Sequence, residues 1–503
     1  MNNQRRSGMI LSYISIFISS IIGIAFTPFL IVSLGVEEYG LYQLLYATIG
    51  FVSLLDFGLG GTLTRYIIKY KASEEKDKVA SVVSMCVKIY CVTGVVVILT
   101  TIIIAFILEP LFPGSINSNN VGKARFLFII MGATAGVSFI RHALSGIQGA
   151  EEKYAVMKFV VILQHILRTV FILILLLIGM KAEAVVLVDL FVAMVLLLFE
   201  IYYCKSKLKY QLFAGKWDKV LFKSLVTFSL FVFLQIIITQ VNNNLPRIIL
   251  GKYVCLEYVS IYGVAMQLQN LFNSVGGVIS GITLPQVSRI VFCNGTIEQT
   301  TDCCSHYSRY QLHISAFILG GFILFGQYFI SLWVPDYNCY EVYIIILLIA
   351  VPQILEAVEG TIFNVMKAKN MQATRSLILL GVVVFNIIFS VILIKYLPLY
   401  GAAIGTCVSF VIGNNILSNI YYHKKVGINI YRYFKNLLKG ILPVWLVTFV
   451  IGIFISKIHI SGWNGLFLKC CIYSIIYIPL MYIYGFSKSE KQLVTNIIHK
   501  IRR

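Results

Sequence analysis

The residues of this chain that could do chemistry are the few charged and amide side chains set inside long apolar blocks. Arg168 lies near the middle of one block, with Gln164 and His165 one turn before it on the same helical face. An arginine at a bilayer centre costs about 2.5–3.5 kcal/mol on insertion scales, so it calls for an internal cavity or an acid on a neighbouring helix, Asp56 or Asp189. Arg65 and Arg289 close two further blocks behind glycine-rich approaches (Gly58, Gly60, Gly61; Gly276, Gly277, Gly281), and Arg141 with His142 closes a third. A guanidinium fork matches paired phosphate oxygens better than an ammonium does, so these arginines suit a phosphate group, and Arg65, Arg289 and Arg141 with His142 would together make a cationic mouth facing the cytoplasm. Placed at block ends, Arg65 and Arg289 are also what topology anchors look like.

Gln240, Asn242 and Asn243 in one block, and Gln267, Asn270 and Asn273 in the next, carry donors and acceptors together. That chemistry replaces water around sugar hydroxyls. Hydrogen bonding between helices is the simpler use of the same groups, but it requires fewer of them. Glu356 and Glu359 stand at i and i+3 after Pro352 and share a face. Two carboxylates in a low-dielectric site readily hold one proton between them, which makes the pair, with Asp56, candidates for proton or cation coupling. The structural alternative is a pairing with Arg or Lys. Cys293, Cys303, Cys304 and His306 form the densest thiol-imidazole group. Without a paired C-x-x-C they read as reduced loop cysteines, and no metal or cofactor is expected. No P-loop, dinucleotide fingerprint, H-E-x-x-H or G-x-S-x-G motif occurs, so nothing points to ATP hydrolysis by this chain.

The elements that must position these groups follow from composition. Of 503 residues, 59% are hydrophobic and only 12% charged, and the mean hydropathy is +0.87. A soluble domain carries about 25% charged residues. The apolar blocks approach the ~20-residue length that crosses a hydrocarbon core, and buried backbone groups in lipid demand helices. The expected fold class is an all-α polytopic membrane protein with about fourteen spanning helices. The net charge of +20 does not imply nucleic acid, because Lys and Arg fall in short runs between blocks. Arg5 and Arg6, Lys69 to Lys78, Lys205 to Lys219, Lys424 to Lys435 and the tail from Lys488 all fall on one side of an alternating topology. The bias is roughly four to one, which puts both termini in the cytoplasm. The apolar stretch after Arg6 runs to Leu34, too long for a signal peptide, and is expected to stay as the first span.

A weak repeat divides the chain. Pro28, Glu38-Tyr39 and Arg65 recur in order as Pro246, Glu257-Tyr258 and Arg289. Each copy reads as a proline-broken helix, a short acidic-aromatic outer turn and a helix ending in Arg. The expected domains are two pseudo-symmetric six-helix lobes, 1–222 and 223–438, around a central cavity, followed by two C-terminal helices and a tail in 439–503.

Between Gly35 and Arg65 the sequence reads GVEEYGLYQLLYATIGFVSLLDFGLGGTLTR. This resembles the bacterial polysaccharide flippases of the Wzx type, within the superfamily that also holds multidrug exporters of the MATE type and lipid II flippases. The Glu-Tyr-Gly-Leu-Tyr and Leu-Leu-Asp-Phe-Gly-Leu-Gly segments carry the likeness. The resemblance implies two lobes around a cationic cavity, and a flippase that moves polyprenyl-diphosphate-linked oligosaccharide across the bacterial inner membrane for O-antigen, capsule or exopolysaccharide assembly. It implies diphosphate-binding roles for Arg65 and Arg289, with Arg168 as a further member. It also implies membrane lipids, a polysaccharide polymerase and a chain-length regulator as partners. A cation-coupled exporter of small amphiphiles is the first alternative, weakened by the lack of an acid in the first span. A membrane polymerase or glycosyltransferase is the second, weakened by short outer loops.

Overall fold

The computed structural model describes residues 2–492 and 495 except 216, 294, 336 and 370. Among the described residues the chain is helical and contains no strand. It opens with α1 (Asn2–Leu34), α2 (Val36–Val52), α3 (Leu59–Ala72), α4 (Lys76–Phe106), α5 (Val121–Ala150), α6 (Tyr154–Leu177) and α7 (Ala182–Tyr202). The long α8 (Lys219–Tyr253), α9 (Leu256–Phe292) and α10 (Ile297–Trp333) follow. Then come α11 (Cys339–Val358), α12 (Gly360–Ala368), α13 (Gln372–Ile394), α14 (Gly401–Ser409), α15 (Ile430–Leu438), α16 (Ile441–Ser456) and α17 (Gly462–Leu480).

Among the described residues 11 helices are long and apolar enough to cross a membrane, or 12 if the bent pair α15–α16 is one span. About fourteen were expected; α8 and α9, 35 and 37 residues long, are not in that count. The turn expected around Glu38-Tyr39 is instead the first turn of α2, separated from α1 only by Gly35 at φ 80°. Glu257-Tyr258 likewise opens α9. Neither Pro28 nor Pro246 breaks its helix, contrary to expectation. Neighbouring helices can supply what a proline removes from the ladder, and helices in lipid tolerate it for that reason. The break falls one helix later: Ser53–Asp56 tightens to a 3₁₀ turn, and Phe57 and Gly58 turn left-handed (φ 50° and 70°) before α3 begins.

The chain forms two compact units, Met1–Val264 with Ser390–Ala402, and Ala265–Phe389 with Ala403–Arg503. In the first, α3, α4 and α5 bury Leu63, Ile67, Val82, Cys86, Tyr90, Phe139 and Ile147. Helices α4 and α5 meet at Gly94 and Gly136, where a Cβ on either glycine would lie 2.8 Å from the other's carbonyl oxygen. Without a hydrophobic driving force between helices in lipid, such close approach of small residues supplies the packing.

The second unit is held by a buried charge cluster. Arg309 of α10 grips Glu490 with Nε to Oε1 at 2.8 Å and Nη2 to Oε2 at 3.1 Å. It also donates to the carbonyls of Asn436 and Lys439, each at 2.8 Å, which caps the C-terminal end of α15, and to Gly485 at 2.8 Å. One guanidinium thus ties the tail to α10 and α15. Burial raises the Glu490 carboxyl, but the nearby His313 ring, the Arg309 hydrogen bonds and the Ser487 amide outweigh it and hold the group far below the usual carboxylate range. Arg309→Ala strands the Glu490 charge, and thermal unfolding of the purified protein should show a loss of about 3–5 kcal/mol. A carboxyl whose folded pKa is depressed adds stability above its unfolded pKa near 4.3 and loses it as pH falls toward the folded value. Wild type should therefore lose stability relative to Glu490→Gln as pH drops below about 4.

Candidate functional site

Helix α2 places Tyr39, Tyr42 and Tyr46 at i, i+3 and i+7, so their rings stack along one face, with centroids 6.5 and 6.2 Å apart. Two arginines flank this ladder. On one side Arg168 of α6 forks onto Asp189 of α7, Nε to Oδ1 at 2.6 Å and Nη2 to Oδ2 at 3.3 Å, and donates to the Tyr42 hydroxyl at 3.3 Å. Of the two settings expected for Arg168, the acid partner is the one found, and the acid is Asp189.

On the other side stands Arg247 of α8, only 6% exposed. Its Nη1 donates to Gln43 Oε1 at 2.8 Å, and its Nη2 to Asn244 Oδ1 at 2.6 Å and to the Asn243 carbonyl at 3.2 Å. Its guanidinium carbon lies 5.9 Å from the centre of the Tyr46 ring, inside cation–π range. Gln43 in turn donates to the Tyr39 hydroxyl at 2.7 Å, and Asn244 to Gln240 Oε1 at 2.5 Å. Among the described residues no carboxylate pairs with Arg247, and its Nε has no partner. A guanidinium does not lose its proton, so a full charge is held there by amides, a carbonyl and aromatic rings alone.

The Glu-Tyr-Gly-Leu-Tyr segment owes its composition to this arrangement. Glu38 takes Lys123 at 2.6 Å and the Ala182 amide at 2.8 Å, tying α2 to the starts of α5 and α7. Gly40 leaves room for the start of α9, since a Cβ there would sit 2.1 Å from the Leu256 carbonyl oxygen. Tyr42 reaches Arg168, and Gln43 reaches Arg247.

The remaining expected residues fall elsewhere. Arg141 is in a buried ion pair with Glu200 at 2.9 Å and also donates to Gln164 at 3.2 Å. Arg65 and Arg289 are exposed. Asp56 sits at the break after α2, with His142 Nδ1 3.7 Å from its Oδ2. Gln240 belongs to the Arg247 cage, and Asn243 contributes its backbone; Asn242 and Gln267 are part-exposed, and Asn270 and Asn273 exposed. Asn273 accepts from Gln269 at 3.3 Å, and Gln269 fastens α9 to α11 through Gln353 at 2.7 Å. Glu356 is bound by Arg375 at 3.3 Å and by Asn414 at 2.8 Å. Glu359, 2% exposed, takes Asn419 at 2.7 Å, and no cation pairs with it among the described residues. Asn414 and Asn419 are five residues apart. They can face two acids three apart because Phe410–Leu417 is wound as a π-helix, whose wider turn brings i and i+5 to one side. Among the described residues no three His, Cys, Asp or Glu side chains gather as metal ligands.

The family model described as polysaccharide biosynthesis protein matches residues 6–291, more than half of the chain. The chain belongs to that family. A membrane protein of Bacillus subtilis (strain 168), EpsK, described as uncharacterized, is 22% identical over 521 aligned residues, which cover 97% of this chain and 96% of that one. Among solved structures, the lipid II flippase MurJ in an inward closed conformation superposes with a TM-score of 0.73 at 15% identity, over 95% of this chain and 98% of its own. An inward-facing multidrug resistance MATE family transporter of the MOP superfamily reaches 0.66 at 15% identity, over 83% and 96%. These likenesses establish the fold, and with the family match they bear out the resemblance read from Gly35–Arg65.

Arg247 escaped the sequence reading because it lies just inside a block end, where a cation counts as an anchor. The signal was the tyrosine spacing with Gln43 in α2 and the amides Gln240 and Asn244, two turns and one turn before Arg247 in α8. The Arg168–Asp189 pair should behave as a unit. Removing either charge alone leaves the other stranded and should cost about 2–5 kcal/mol, whereas Arg168→Leu with Asp189→Leu should cost less than the two single changes added. A double-mutant cycle on thermal unfolding in detergent measures this.

Proposed function

We propose that this protein is a flippase that carries polyprenyl-diphosphate-linked oligosaccharide repeat units from the inner to the outer leaflet of a bacterial plasma membrane, by alternating access, for surface polysaccharide assembly. Its termini lie in the cytoplasm, and a polymerase and a chain-length regulator act after it. The observation that carries this reading is Arg247. A buried cation without a carboxylate is costly in a membrane protein, and the cost is offset if the partner is a mobile anion that arrives with the substrate. The lipid diphosphate is such an anion, and the amides and phenols around Arg247 already hold its fork in place.

Arg289, near the end of α9, and Arg65, which lies mid-way along α3 and not at the block end expected for it, are both exposed and supply first contacts for the diphosphate. Arg141 and Arg168, bound to acids, serve mainly to hold helices. With the cell interior negative, outward movement of two negative charges is downhill by about 2.3 kcal/mol per charge per 100 mV. Of the coupling candidates, Glu356 is occupied by Arg375, which leaves Glu359 as the carboxyl free to take and release a proton. Asp56, beside His142 at a helix break, is a second coupling candidate.

Arg247→Gln should lower translocation of lipid-linked oligosaccharide in proteoliposomes by at least about tenfold, the loss of one charge-assisted bond, while the variant melts as wild type does. Arg65→Ala with Arg289→Ala should abolish it. Wild-type rates in Arg247→Gln would reject the anion role, and wild-type rates in the double variant would reject the first contacts.

A further inference from the structure

Within the first unit, α2, α5 and α7 border a cavity of about 260 Å³. Its polar wall consists of Tyr42, Ser53, Thr134, Ser138, His142 and Asp189. Three of these are aliphatic hydroxyls whose protons are already committed. Ser53 donates to the Ile49 carbonyl at 3.0 Å, Thr134 to Ile130 at 3.0 Å and Ser138 to Thr134 at 2.8 Å. A hydroxyl that donates into its own helix keeps only lone pairs for what lies beside it. The Asp189 carboxylate also accepts only, and Arg168 is not part of the wall: it grips Asp189 and Tyr42 and fixes both acceptors in place.

The cavity therefore presents the lone pairs of Ser53, Thr134 and Ser138 and the Asp189 carboxylate, with the hydroxyls of Tyr42 and Tyr46 and the His142 imidazole able to donate as well, among apolar surfaces from Ile49 and Phe139. A fixed carboxylate in the wall disfavours a diphosphate, and the mixture of acceptors and a few donors suits a group rich in hydroxyls with an apolar face. A sugar ring has that chemistry. A cavity of this volume has room for one sugar ring. We propose, on the strength of the flippase reading above, that this cavity holds one sugar ring of the lipid-linked oligosaccharide while the diphosphate is bound elsewhere. Thr134 and Ser138 then act as specificity-determining acceptors and Arg168 as a positioning residue.

The test uses the full chain in proteoliposomes with two probes: polyprenyl diphosphate carrying one N-acetylglucosamine, and the same lipid diphosphate without sugar. Thr134→Val with Ser138→Ala keeps shape and removes two acceptors. The expected result is a KM for the sugar-bearing lipid raised about tenfold, as for two lost hydrogen bonds, with kcat and movement of the bare lipid unchanged. Ala135→Phe, which fills the cavity from α5, should block the sugar-bearing lipid and spare the bare one, and it gives an independent readout if the first variant folds poorly. Equal losses for both probes would overturn the inference, since the cavity would then serve the conformational cycle. An unchanged KM in both variants, or a shifted sodium or pH dependence with both probes, would overturn it as well. If wild type moves neither probe, the flippase reading itself fails, which is a different result from a failure of the cavity assignment.

Discussion

A guanidinium cannot shed its proton, and the interior of a membrane protein offers little water to solvate it. Arg247 meets this constraint without a carboxylate. Two amides, a carbonyl and an aromatic face surround it, and each of them is held by a further partner: Gln43 by Tyr39, Asn244 by Gln240. The cage needs α2 and α8 in one register, so the chain between Val36 and Val52 cannot shift without undoing it. Glu38, clamped by Lys123 and the start of α7, sets that register from the other end of the same helix.

Four other arginines inside the two units are treated differently. Arg168, Arg141, Arg309 and Arg375 each have an acid: Asp189, Glu200, Glu490 and Glu356. A buried pair adds little net stability but is costly to break, so such pairs fix which helices meet. Their charges are answered within the fold, whereas among the described residues the charge of Arg247, like that of Lys469 at the Ser456 carbonyl and the Tyr328 ring, meets dipoles and aromatic faces. The same division separates the two glutamates of the second unit. Glu356 is answered by Arg375, and among the described residues Glu359 has an amide and no cation.

Polar groups at membrane depth thus sort by partner. Amides of α9 and α11 fasten helices, hydroxyls of α5 satisfy themselves on their own backbone, and what they leave unsatisfied faces a cavity. An acceptor-lined space and an unanswered cation in one unit are opposite in polarity, as are the two ends of a sugar-lipid diphosphate. Under the proposed function, one substrate uses both.

Much of this was legible in the chain. Block length and scarcity of charge determine a helical membrane protein, because lipid leaves the backbone no other way to satisfy its groups. The Glu-Tyr-Gly-Leu-Tyr segment marked the family, and Asp189 stood among the partners expected for Arg168. Which charge answers which was not legible, because helices in lipid are apolar nearly all round and carry little periodicity to show their facing sides. Only tertiary structure placed Arg247 beside Gln43, some two hundred residues away, wound Phe410–Leu417 into the π-register that aligns two amides with two acids, and put the helix break after Val52 and not at Pro28. Sequence determines how costly each buried polar group is; the partner that offsets the cost is chosen by contacts between distant helices.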